Sequence, residues 1–227
     1  MDWSTLSLVG LFQVIWINII LSGDNAVVIA LACRGLSERQ RLIGMVLGAG
    51  VAILLRVVFT LFVASLLDLP FLRLAGGVLL FWIAIKLVTD EGDEGDHVEA
   101  SDKLWYAVRT VAIADAVMSL DNVLAIAAVA RDSKAMLVVG LIISIPLIVA
   151  GASLIMKMLE RFPILIWAGA GLLGWLAGDM MLNDPIIRNA IGTDAVHRFE
   201  LPAEFVGALF VIATAYLIRR GRREAAI

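Results

Sequence analysis

Asp24 and Asp121 each lie inside a long apolar stretch, and each is followed by an asparagine. The first stands in Ser22-Gly23-Asp24-Asn25, the second in Ser119-Leu120-Asp121-Asn122. A third carboxylate, Asp115, lies six residues before Asp121 on the same stretch. An acid in hydrocarbon is costly and points to ion or proton handling. The candidate ligands are therefore Asp24, Asn25, Asp115, Asp121 and Asn122, with Asn18, Ser22 and Ser119 around them. All are oxygen donors. Oxygen sets suit Mg²⁺, Ca²⁺ and Mn²⁺, whereas Zn²⁺, Cu⁺ and Ni²⁺ favour nitrogen and sulfur. No Cys or Met cluster accompanies them, and His97 and His197 are expected in loops. Three acids exceed the charge of one divalent ion, so one of them is available to carry a coupled proton.

The elements that hold these residues are membrane helices. Of the 227 residues, 61% are hydrophobic and only 17% charged, with a mean hydropathy of +0.96. Soluble domains are about half apolar and a quarter charged. Several windows exceed the roughly 18 apolar residues that read as a membrane span. Seven spans are expected, at about 6–32, 42–67, 71–88, 104–130, 135–158, 164–183 and 203–218. The first lacks the basic flank of a leader and carries Asn18 and Asp24, so it reads as a retained helix. Pro70, Pro163 and Pro202 precede spans three, six and seven, while Pro146 falls inside span five. A single cysteine, Cys33, excludes an internal disulfide.

The two halves of the chain repeat. Ser22-x-Asp24-Asn25 returns as Ser119-x-Asp121-Asn122, Arg34 matches Arg131, and Asn18 matches Asp115. Further on, 75–84 matches 168–177, with Trp82 against Trp175 and Lys86 against Asp179. Three spans per half is an odd number, so the second copy must be inverted, as in many secondary transporters. The domain reading is one transmembrane domain over 1–227. It comprises a first repeat (1–89), an acidic cytoplasmic linker (90–103), an inverted second repeat (104–184) and a seventh helix (201–220). The inversion predicts that Asp24 and Asp115 share a level, about 4–5 Å from the pseudo-twofold axis at 1.5 Å per residue. Asn18, Ser22 and Asn25 fall on one helical stripe, as do Asp115, Ser119 and Asn122. Gly23 offers a place for a local break that would turn Asp24 inward; Leu120 offers the second copy none.

Arg56 lies near the middle of span two, and Ser153 stands at the matching position of the second half. Arg56 is expected to neutralise one of the acids or to stand in for the cation in the empty state. Lys86 and Asp179 are expected to pair or to face water near helix ends, with a supporting or proton-coupling role. The linker carries seven acids and reads as solvated. Arg34, Arg39, Arg41, Lys86, Lys103, Lys157, Arg161 and the C-terminal arginines fall on one side. Only Arg73, Arg131, Lys134, Arg188 and Arg198 fall on the other. Basic loops face the cytoplasm, so the N-terminus is expected outside and the C-terminus inside.

At Ser22–Ala26 and at Ala114-Asp-Ala-Val-Met-Ser-Leu-Asp-Asn-Val-Leu-Ala125 the chain resembles the TerC family of integral membrane proteins, in its short bacterial branch. The resemblance covers nearly the whole chain. It implies a bacterial inner-membrane protein related to the LysE transporter superfamily. It also implies a link to manganese export, to metal supply for secreted enzymes, and to tellurite resistance. The family's acids fall on Asp24, Asp115 and Asp121. Many members carry Phe-Ser-x-Asp-Ser where this chain has Met118-Ser119-Leu120-Asp121-Asn122, which keeps an oxygen ligand. The function expected is divalent-cation transport, Mn²⁺ efflux foremost with Ca²⁺ or another hard ion as alternative, proton-coupled through the spare acid. The lipid bilayer and the ion are the expected partners. A homo-oligomer is compatible with the sequence, and no nucleic-acid partner is expected.

Two other readings compete. A membrane scaffold or chaperone, aiding metalation or membrane-protein biogenesis without transport, would use the polar stripes for packing alone. An intramembrane aspartyl protease would pair two buried acids. The residues Leu21-Ser22-Gly23 before Asp24 match its Gly-x-Gly-Asp signature only in part, so no enzymatic activity is expected.

Overall fold

The computed structural model describes residues 15–16, 23–62, 69–89, 100–129 and 134–225. Within these, backbone alone is described at 60–62, 100, 120–129, 134–138, 140, 223 and 225. All regular structure among the described residues is helical. The helices are α1 (Gly23–Cys33), α2 (Glu38–Phe62), α3 (Leu72–Thr89), α4 (Ala100–Val129), α5 (Lys134–Arg161), α6 (Ile164–Leu182), α7 (Pro185–Ile191) and α8 (Thr193–Ala225). Five segments are long and apolar enough to cross a bilayer: Glu38–Phe59, Leu72–Thr89, Leu141–Arg161, Ile164–Leu182 and Thr193–Arg222. α1 is apolar but shorter. Large apolar side chains such as Leu54, Leu154, Val206 and Leu209 are exposed on these helices. A bilayer is the solvent that suits them, and this is a multi-pass integral membrane protein.

The helices gather into two compact units. One comprises residues 1–67 and 98–157, and so holds α1, α2, α4 and most of α5. The other comprises 68–97 and 158–227, and holds α3, α6, α7 and α8. Each unit thus draws helices from both halves of the sequence.

In the first unit α2 packs along α4, and α1 lies against both. The α1 sequence, Gly23-Asp-Asn-Ala-Val-Val-Ile-Ala-Leu-Ala-Cys33, is apolar on nearly every side after its first turn. Val28, Ile29, Ala30, Leu31 and Cys33 are all buried. Its C-terminal end is closed by Arg41, whose Nε donates to the Leu36 carbonyl (2.8 Å) and whose Nη2 donates to the Arg34 carbonyl (3.0 Å). These bonds satisfy carbonyls in the turn that follows the helix. α2 then begins after Ser37, whose hydroxyl donates to Gln40 three residues on. From α5, Gly151 faces the Ala26 methyl, and the Ser153 hydroxyl donates to Met45 Sδ (3.7 Å). Pro146 lies inside α5, as its place in span five required.

In the second unit α6 is central, packed on both α3 and α8. Small residues permit the close approach. A Cβ on Gly174 or Gly178 of α6 would run into the carbonyls of Gly207 and Ala203 on α8. The Gly-x-x-x-Gly spacing of 174 and 178 brings backbones together where lipid supplies no hydrophobic drive. Phe81–Phe210 and Trp175–Phe205 meet edge to face at 5.2 and 4.8 Å.

α8 differs from the sequence expectation. It starts at Thr193 rather than near 201, so Pro202 and His197 are inside the helix and not before it. Residues 193–202 are polar and escape a hydropathy window. They continue the helix beyond its apolar part, with Val196 buried and α7 packed alongside.

Candidate cation site

α4 runs unbroken from Ala100 to Val129, so residues four apart stand one above the other. Asp115 and Ser119 are such a pair, and both are buried. The Ser119 hydroxyl donates to Asp115 Oδ2 (3.0 Å). Arg56 reaches them from α2. Its Nη2 donates to Asp115 Oδ1 (2.8 Å) and its Nε to Ser119 Oγ (3.2 Å). The three side chains close a ring in which both carboxylate oxygens already hold a donor. Arg56 is 1% exposed and Asp115 3%, so this is a fully desolvated ion pair. Such a pair is tolerable because its remaining hydrogen-bonding capacity is met locally by Ser119.

Asn25, on α1, faces Asp115. The two residues line one narrow crevice with Val28, Ile29, Ala52 and Val111. Asn25 is only 4% exposed, and neither its Oδ1 nor its Nδ2 has a hydrogen-bond partner among the described residues. A buried amide left unmatched costs about 1–3 kcal/mol, so the defect needs a reason. Asp24 precedes it in the first turn of α1, where its Oδ1 accepts from the Asn25 N–H (2.8 Å). The Asp24 carboxylate lies within electrostatic reach of both Arg56 and Asp115.

The structure thus brings Asp24, Asn25, Asp115, Ser119 and Arg56 together in one unit. Asn18 and Ser22 lie outside the described residues. Asp121 and Asn122 lie on α4, with their side chains outside the description. Lys86 and Asp179 belong to the second unit. Lys86 stands 5.0 Å over the Trp82 ring, and Asp179 Oδ1 accepts from Asn183 Nδ2 (2.8 Å). Most of the acidic linker, with His97, is outside the described residues.

The family model of the integral membrane protein TerC family matches residues 3–223. The chain belongs to the TerC family. It is 41% identical over 177 residues to the uncharacterized membrane protein YjbE of Bacillus subtilis (strain 168), covering 78% of this chain and 81% of that one. It is 26% identical over 132 residues to the uncharacterized membrane protein YceF of the same organism, covering 54% of this chain and 51% of that one. No solved structure matches.

Two features of this TerC-family chain escaped the sequence reading. Asp179, Glu200 and Glu204 bring carboxylate oxygens within 4.8 Å of one another, in the second unit. Glu200 sits in the polar head of α8, and Glu204 one turn further on at the start of its apolar part. Asp184 is the other. It is wholly buried, and its oxygens accept from the N–H groups of Phe71 (3.1 Å), Leu74 (3.0 Å) and Ile186 (2.9 Å). One carboxylate thereby caps α3 and α7 together. Burial alone would raise its pKa. The N–H groups of Ile186, Leu74, Phe71 and Arg73 outweigh burial and hold the carboxyl below the ordinary carboxylate range. The Asp184-Pro185 pair was the available signal, a capping residue followed by proline at a helix start.

Proposed function

We propose that this TerC-family protein carries hard divalent cations, Mn²⁺ foremost, outward across the bacterial cytoplasmic membrane. Seven spans, arranged as two inverted three-helix repeats and a final helix, are the architecture of that reading. The N-terminus lies outside. Asp24, Asn25, Asp115, Asp121 and Asn122 form the oxygen site, and the acid in excess of the ion's charge takes the coupled proton.

The observation that carries this reading is the Asn25 amide. It is buried, without a hydrogen-bond partner among the described residues, and lines the same crevice as Asp115. Asp115 is the other polar residue in the lining of that crevice among the described residues. A bare divalent ion is smaller than water, and an amide oxygen beside two carboxylates is the donor set it favours. The excess of basic residues on one side of the chain supports the orientation.

The test is flux in proteoliposomes with Mn²⁺, Ca²⁺, Mg²⁺ and Zn²⁺ under set pH gradients. Mn²⁺ and Ca²⁺ are expected to move, Zn²⁺ to move poorly, and Asp24→Asn and Asp121→Asn each to abolish Mn²⁺ flux. Unchanged flux in both variants would overturn the site assignment.

A further inference from the structure

We propose that Arg56 is an internal, tethered counter-cation that competes with the transported ion for Asp115 and neutralises the empty carrier. The inference rests on the cation-carrier reading above and assigns the regulation of that same site.

The geometry and the charges set ion and guanidinium in competition. Both oxygens of Asp115 are taken, Oδ1 by Arg56 Nη2 at 2.8 Å and Oδ2 by Ser119 at 3.0 Å. Arg56 Nε closes the ring on Ser119 Oγ. An incoming ion must share Asp115 Oδ1 with the guanidinium or displace it. The two positive groups would also stand within a few ångströms in an apolar crevice, where their repulsion is weakly screened. Binding therefore favours withdrawal of Arg56, and its long flexible side chain allows that.

The converse follows when the ion leaves. Asp115 is 3% exposed among Val28, Ile29, Ala52 and Val111, and a bare carboxylate there is strongly unfavourable. Arg56 returns, and the site is neutralised without cargo. The empty protein can then change its access state, and net transport proceeds. The second half has Ser153 at the matching position, bonded to the Val149 carbonyl within its own helix. The stand-in cation is thus present once per chain.

Two quantities separate this role from a merely structural ion pair. If Arg56 holds Asp115 about nine-tenths of the time, apparent affinity for the ion is about tenfold weaker than intrinsic affinity. Without the guanidinium the loaded protein still reorients, but the empty one does not. Metal–metal exchange then survives while net efflux fails.

The experiment uses the full-length protein with Arg56→Gln and Arg56→Lys. Mn²⁺ binding in detergent is read from the free-ion paramagnetic resonance signal. Net efflux and radiolabelled Mn²⁺ exchange are read in proteoliposomes, and thermal unfolding reports the folded fraction. Arg56→Gln should bind Mn²⁺ about tenfold more tightly, keep exchange and lose most net efflux. Arg56→Lys, which keeps a cation without the two-pronged geometry, should fall between and recover part of the net efflux. It also carries the test if Arg56→Gln does not fold. Weaker or unchanged binding in the folded variants, or equal loss of exchange and net efflux, overturns the role of Arg56 alone. If the parent protein neither binds nor moves Mn²⁺, Ca²⁺ or Mg²⁺, the carrier reading itself falls, and this inference with it.

Discussion

Two aspartates among the described residues are almost fully buried, and they are held in opposite ways. Asp115, in the first unit, is held by side chains: the Arg56 guanidinium and the Ser119 hydroxyl. Asp184, in the second, is held by main chain: the N–H groups of Phe71, Leu74 and Ile186. Backbone donors at a helix start are fixed by the helix and cannot leave without unwinding it. A guanidinium on a flexible stem can leave. Asp184 is thus fixed by the fold, whereas in the role proposed for Arg56 it is Asp115 that exchanges partners. The second unit also locks α6 to α8 by glycine contacts that admit no side chain. The first retains an amide unsatisfied among the described residues, beside its acid. Rigidity and reactivity are distributed between the two.

The comparison breaks most sharply at Asp115. Asp115→Ala removes the carboxylate that the buried Arg56 guanidinium holds at 2.8 Å, a loss of about 3–5 kcal/mol in stability. It should abolish Mn²⁺ flux as well. Adding Arg56→Met removes the charge that has lost this carboxylate, and should restore most of the thermal stability while flux stays at zero. Thermal unfolding in detergent beside proteoliposome flux reads both. Recovery of flux in the double variant would show that Asp115 only balances Arg56.

The next effect is at Asp184. Asp184→Ala uncaps α3 and α7 at once, at a cost of about 1–2 kcal/mol per helix start. It also releases Phe71, whose φ of 69° is left-handed and held by its bond to Asp184. The melting temperature should fall, and flux per folded molecule should not. Asp184→Asn keeps an acceptor and should recover most of the loss. Reduced flux per folded molecule would mean that this cap takes part in transport.

The smallest effect is a pH dependence. The Asp184 carboxyl titrates below its unfolded value because its backbone donors favour the charged form. Its stabilisation is fully present above an unfolded pKa of about 3.9. It is lost as pH falls through the lower, folded value. From pH 6 to 5 the parent's margin over Asp184→Asn should stay constant, and below about pH 4 it should shrink. A margin that grows on acidification would contradict the assignment.

Much of the fold was legible because hydropathy is a local sum. Spans two, three, five and six lie where α2, α3, α5 and α6 form, and Pro163 stands at the start of α6 as expected. α8 was read too short because its polar head obeys helix geometry without satisfying a hydropathy window. Arg56 was legible as a charge in need of an acid, since an unpaired guanidinium at mid-span is prohibitive. The Asp179, Glu200 and Glu204 group was not legible. It depends on the polar head of α8 coming beside α6.

What the sequence by itself determined was the solvent and the donors. Its composition requires a bilayer, and its intramembrane acids and amides supply only oxygen. What the tertiary structure decided was partnership. Arg56 meets Asp115 across 59 residues of chain, and Phe71 meets Asp184 across 113. No local pattern specifies such pairings. They follow from which helices pack together, and packing also leaves Asn25 unmatched among the described residues, beside the Asp115 carboxylate.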